Sequence, residues 1–121
     1  MNALPARIRA DKPAKVKRRC PSHTKWIGEF SCSVPGCTGR PIEVAHVRTG
    51  TNGGTGLKPT DDWTISLCHE HHSEQHRIGE PEFEKVHGIS MKLLARLFAS
   101  KSPHRSKLMK LGDDSMRMAV R

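Results

Sequence analysis

The chain has 121 residues, a formal net charge of +9, 35% hydrophobic residues and only five aromatic ones, three Phe and two Trp. That is one domain with a thin apolar core, for which a bound metal is an expected staple. No apolar run approaches the roughly 18 residues of a membrane span, and the basic N-terminus lacks the apolar stretch of a secretory signal. A cytoplasmic protein is therefore expected, and its four cysteines point to metal binding more than to disulfides.

The charge is unevenly placed. Residues 1–25 carry eight Lys/Arg against one acid, residues 26–79 four against six, and residues 101–121 six against two. Residues 1–23 thus read as a basic flexible arm and 101–121 as a basic flexible tail, on either side of a near-neutral domain over 24–100. Such arms suit contact with the phosphate backbone of DNA, which is salt-sensitive and indifferent to sequence. In the first arm Lys15, Lys17, Arg18 and Arg19 are the candidate cations.

Thr24–Phe30 predicts a short helix or extended piece with Trp26, Ile27 and Phe30 on the core. Cys32-Ser-Val-Pro-Gly-Cys37 is a knuckle in which Pro35 and Gly36 make the tight turn. Ile42–Val47 alternates as a strand, placing Ile42, Val44 and His46 on one face. Residues 49–60 contain four glycines and Pro59 and read as a loop. Trp63–Leu67 is a second strand, antiparallel to the first. A helix then runs to about Ile78 and stops at Gly79, a short helix spans Pro81–His87, and Ser90 caps a last amphipathic helix over Met91–Ser100. The fold class is α+β, with extra helices at the C-terminal end.

The stretch Cys68-His-Glu-His-His-Ser-Glu-Gln-His76 carries the chemistry, with four of the eight histidines in eight residues. At about 100° per residue, Cys68 and His71 share one side of a helix, and His72 and His76 share another. The first pair joins Cys32 and Cys37 in a Cys₃His set for structural zinc. Cys20 and His69 compete for the fourth place; Cys20, after two arginines in the arm, reads better as a free thiol. The second pair is a candidate catalytic cation site. His87 reads as a surface residue.

Several spaced motifs resemble the HNH endonuclease family, the ββα-metal fold, and above all its small phage and prophage branch that includes the RecA-dependent recombination-enhancement nuclease. They are His46-Val-Arg-Thr-Gly50, Gly53-Gly-Thr-Gly56, Lys58-Pro59, Asp61, Trp63-Thr-Ile-Ser-Leu-Cys68 and His71-His-Ser-Glu-Gln-His76. The resemblance covers about residues 24–100. It implies that His46 is the general base, aimed across at the helix, and that His72 and His76 hold a divalent cation such as Mg²⁺, Mn²⁺ or Zn²⁺ at the scissile phosphate. Arg48 would clamp a phosphate oxygen, while Lys58 and Asp61 would shape the loop or touch phosphate. Two positions depart from the family pattern. Many members read His-His where this chain has Ala45-His46, and Ala45 cannot bind metal. Either the helix pair suffices, or Glu43 swings in, or His46 is itself a ligand and the base lies elsewhere. Trp63 stands where the family has asparagine, so the loop needs other support.

The expected function is a metal-dependent endonuclease hydrolysing DNA phosphodiesters, of phage or prophage origin. The alternative is a zinc-stabilised nucleic-acid-binding module on the same fold without activity. DNA is the expected partner, with a recombination or packaging protein as a further candidate.

Overall fold

The computed structural model describes residues 3–6, 17–54 and 56–112. Lys15, most of the first arm and the end of the tail lie outside these residues. The order is α1 (Pro21–Ile27), β1 (Ile42–His46), β2 (Thr64–Cys68), α2 (His69–Ile78), α3 (Glu80–His87), α4 (Met91–Lys101) and α5 (Arg105–Leu108). This is a small α+β unit. Its two-stranded antiparallel sheet pairs Ile42 with Cys68, Ala45 with Ile65 and His46 with Thr64. No helix among the described residues is long and apolar enough to cross a membrane.

Local chemistry sets most element ends. Cys68 terminates β2 and N-caps α2, its Sγ accepting from His71 N at 3.4 Å. Gly79 and Gly88, with φ of +86° and +63°, end α2 and α3 in backbone conformations that disfavour a Cβ. Ser90 Oγ accepts from Leu93 N at 3.3 Å and starts α4. The main core gathers Ala45, Val47, Ile65, Leu67, Phe83, Met91 and Ala95. Trp26 and Phe30, at the end of α1, meet Phe98 of α4 edge to face, with ring centroids 6.1 and 5.2 Å apart.

On β1 Ile42, Val44 and His46 share one face, as expected, and stay half-buried, whereas Ala45 and, just beyond the strand, Val47 are buried. The Ala45 face lies under α2, because Glu43, two residues earlier on that face, meets His69 and His72 of the helix. The domain also reaches past both predicted boundaries. Cys20 packs with Leu108 and Leu111 in a second small core, and Gly112 N donates to Lys17 O at 2.8 Å. Residues 17–23 and 102–112 therefore belong to the fold rather than to an arm and a tail. Finally, Arg18 and Arg19 are engaged within the protein. Arg18 donates to the carbonyls of Asn52 and Lys58 at 3.2 and 2.8 Å, and Arg19 to that of Pro59 at 2.8 Å.

Candidate metal centre and the adjoining histidines

The knuckle brings two thiols to the start of α2. Cys37 N donates to Val34 O at 3.1 Å, and Gly36 takes the positive φ of +77° that this turn requires. The three sulfurs of Cys32, Cys37 and Cys68 lie 3.4, 3.4 and 3.3 Å from His71 Nδ1, and Cys37 and Cys68 Sγ are 3.9 Å apart. A tetrahedron with metal–sulfur bonds of about 2.3 Å and a metal–nitrogen bond of about 2.0 Å has edges of roughly 3.8 Å between sulfurs and roughly 3.5 Å from sulfur to nitrogen. The four side chains can thus hold one metal ion. No disulfide joins these cysteines. A Cβ on Gly39 would come within 3.0 Å of Cys68 Sγ, so the backbone must lie bare against the cluster.

Burial pushes the Cys32 thiol up to about 11, whereas the Gly39 N–H, donating at 3.3 Å, holds the Cys37 thiol below its ordinary value. Cys20 is buried elsewhere and His69 bonds Glu43, so neither competes for the fourth place.

Beside His71 a second set forms that sequence reasoning missed. Glu74 accepts from His87, and both lie near His71. The His87 ring packs on His71 and Phe83 at 4.9 and 4.5 Å, so it is not the surface residue expected. The hydrogen bond from His87 holds the Glu74 carboxyl below its usual range. Glu74 lies one helical turn from His71 and was legible as a neighbour. His87 arrives through the α2–α3 packing and had no local signal.

The second pair on α2 also converges. His72 Nε2 and His76 Nε2 are 3.2 Å apart, a separation that one cation can bridge. Glu43 Oε1 accepts from His72 Nδ1 at 2.8 Å, and Oε2 from His69 Nδ1 at 2.8 Å. The His69 and His72 bonds hold the Glu43 carboxyl below its ordinary value. A carboxylate on Nδ1 leaves Nε2 of His72 free to bind a cation. Glu43 spends both oxygens on histidine nitrogens, so it supports His72 and does not stand in for the ligand that Ala45 lacks.

The His46 ring bonds the loop rather than this pair. Its Nε2 lies 2.9 Å from Asp61 Oδ1, and its carbonyl accepts from Gln75 Nε2 of α2 at 3.4 Å. Among the described residues no hydrogen bond or ring contact joins its ring to His72 or His76. Burial would raise the Asp61 carboxyl, but bonds from His46, Cys20 N and Arg19 outweigh it and keep the group below its usual range.

Loop support comes from residues other than Trp63. Glu80, at the start of α3, accepts from Arg48 N at 2.7 Å and Thr49 N at 2.8 Å, pinning the chain just beyond His46. Asn52 clasps Thr60 twice, at 2.9 and 3.0 Å. Trp63 instead carries the Arg96 guanidinium 3.6 Å above its ring centroid. Arg48 and Lys58 are exposed on the loop, with Arg48 donating to Gly54 O at 3.4 Å.

A short hairpin, a histidine-bearing helix and a Cys/His cluster able to hold a metal ion define a small α+β domain. The chain belongs to the DUF968 family, described as proteins of unknown function, which matches residues 4–103. Uncharacterized protein YdfU of Escherichia coli (strain K12) is 32% identical over 75 residues, covering 61% of this chain and 20% of that protein. The chain thus spans about one fifth of this relative's length. No solved structure matches.

Proposed function

We propose that this domain is an HNH-type, metal-dependent endonuclease acting on DNA, with structural zinc in the Cys32, Cys37, Cys68 and His71 cluster. The observation that carries the reading is one helix serving two sites. Its first turn completes the cysteine cluster, and its second brings His72 and His76 Nε2 to 3.2 Å, with Glu43 orienting His72. Three thiolates and an imidazole in a tetrahedron favour zinc. A divalent cation held by His72 and His76 would supply charge stabilisation at the phosphate and the leaving oxygen. His46, as base, accepts the proton of the attacking water at Nδ1, since Nε2 faces Asp61. Arg48 and Lys58 offer exposed cations to phosphate oxygens, and the net charge of +9 favours DNA in general.

The second reading, a zinc-stabilised DNA-binding module, is favoured by two observations. Ala45 offers no ligand, and the His46 ring is turned towards Asp61 and Arg19. Purified protein incubated with supercoiled plasmid in Mg²⁺ or Mn²⁺ separates the two. Nicking is expected, and it should disappear in His46→Ala with zinc content and melting profile retained. Ala45→His should lower the cation concentration needed. Retained DNA binding without nicking under any divalent ion would establish the module and exclude the nuclease.

A further inference from the structure

Asp61 connects the N-terminal segment to the hairpin. Its side chain is only 5% exposed. Oδ1 accepts from Arg19 at 2.8 Å and from His46 Nε2 at 2.9 Å, Oδ2 accepts from Cys20 N at 2.7 Å, and its own N–H donates to Arg18 O at 3.0 Å. An ionised carboxylate only accepts, so the proton between Asp61 and His46 sits on Nε2. Arg19 also lies 3.2 Å from His46 Nε2. A guanidinium only donates, so these nitrogens are two donors converging on one oxygen.

We infer that Asp61 and Arg19 are positioning residues for His46, holding its ring with Nε2 protonated and Nδ1 free for proton transfer. Residues 17–20 then belong to the working site and are more than a tether to DNA. Burial matters here: with little water at Asp61, no solvent molecule replaces a lost partner, and the ring orientation depends on this carboxylate. Arg19 holds the carboxylate from the far side, with Pro59 O as its second acceptor at 2.8 Å. A buried carboxylate that fixes the tautomer of a basic histidine is a recurring device in proton-transfer sites. The catalytic consequence rests on the nuclease reading, whereas the hydrogen bond itself does not.

The test is solution NMR of ¹⁵N-histidine-labelled protein, with the His46 resonances identified by their loss in His46→Ala, beside plasmid-cleavage kinetics. Wild type should show His46 as the Nε2–H tautomer with an exchange-protected ring proton. Asp61→Ala should lose that proton and lower kcat at least tenfold, with KM for DNA within twofold and zinc content unchanged. If Asp61→Ala does not fold, Arg19→Ala takes its place, and faster exchange of the His46 ring proton is expected. A wild-type His46 protonated at Nδ1 would overturn the inference. So would a ring proton still protected in Asp61→Ala, or unchanged exchange in Arg19→Ala. Absence of cleavage by wild type would count against the nuclease alone, because the ring-proton signature decides the positioning role by itself.

Discussion

Cys37 is the least buried of the three clustered cysteines, in a turn closed by its own N–H on Val34 O. Ligand loss there should release the metal, because binding a structural ion and ordering its knuckle are the same event. Cys37→Ser is expected to purify with less than one zinc per chain and with a lowered or lost cooperative melt, read by metal analysis and circular dichroism. Glu80 offers a second test at this scale. Glu80→Ala would strand the Arg48 and Thr49 N–H groups, which its carboxylate now satisfies at 2.7 and 2.8 Å. A lost buried acceptor costs about 1–3 kcal/mol. Hydrogen exchange at these two amides should quicken, and the denaturant midpoint should fall. Unchanged exchange would mean that the loop is held elsewhere.

At the level of elements, α5 and the residues after it are the least expected feature. Leu108 and Leu111 are 4% and 0% exposed and close over Cys20. Burying a leucine contributes about 1.5–3 kcal/mol, an upper bound for a chain whose unfolded state is partly compact. Ending the chain after residue 101 should therefore give a lower melting temperature than ending it after residue 112, and should open Cys20 to a thiol reagent. Equal melting of the two truncated proteins would show that the second core contributes nothing. The two faces of α2 obey a simpler logic. The steps from Cys68 to His71 and from His72 to His76 are three and four residues, so each pair meets while the two pairs diverge.

Across the whole molecule, pH should act through a histidine outside the candidate site. His23, on α1, is fully buried against the segment after α4, its Nδ1 2.8 Å from Ser102 Oγ and its Nε2 without a partner among the described residues. Burial lowers its pKa from 6.5, against the opposing pull of Asp62 and Asp61. Well above pH 6.5 the ring is neutral in both the folded and the unfolded chain, and it contributes no pH dependence. Below 6.5 the unfolded chain takes up a proton that the folded chain resists, so stability falls with pH until the lowered folded pKa is reached. Urea melts at pH 7.5 and about 5.5 should differ more for wild type than for His23→Gln. An equal difference would remove His23 from the acid response.

The features legible in the sequence are those that neighbouring residues decide. Cysteine and histidine spacing marked the two halves of the candidate metal cluster, because a turn pairs Cys32 with Cys37 and helix pitch pairs Cys68 with His71, while the hairpin brings the two pairs together. Gly79, Gly88 and Ser90 marked helix ends through their own backbone and hydroxyl chemistry. Alternation along β1 was visible too, but which face is buried depends on where α2 docks, and that put Ala45 inside and turned His46 towards Asp61. Arg18 and Arg19 read as solvent-facing cations because their acceptors, the carbonyls of Asn52, Lys58 and Pro59 and the Asp61 carboxylate, lie some 34 to 42 residues away. Leu108 and Leu111 likewise looked like part of a tail until Cys20 and Ala99 gave them a surface to bury. Local pattern thus decided most of the elements and the Cys/His pairs of the cluster, though not α5 or the part played by His87. Only docking of distant segments decided which side chains face one another, because that choice depends on burial and hydrogen-bond partners that no local window contains.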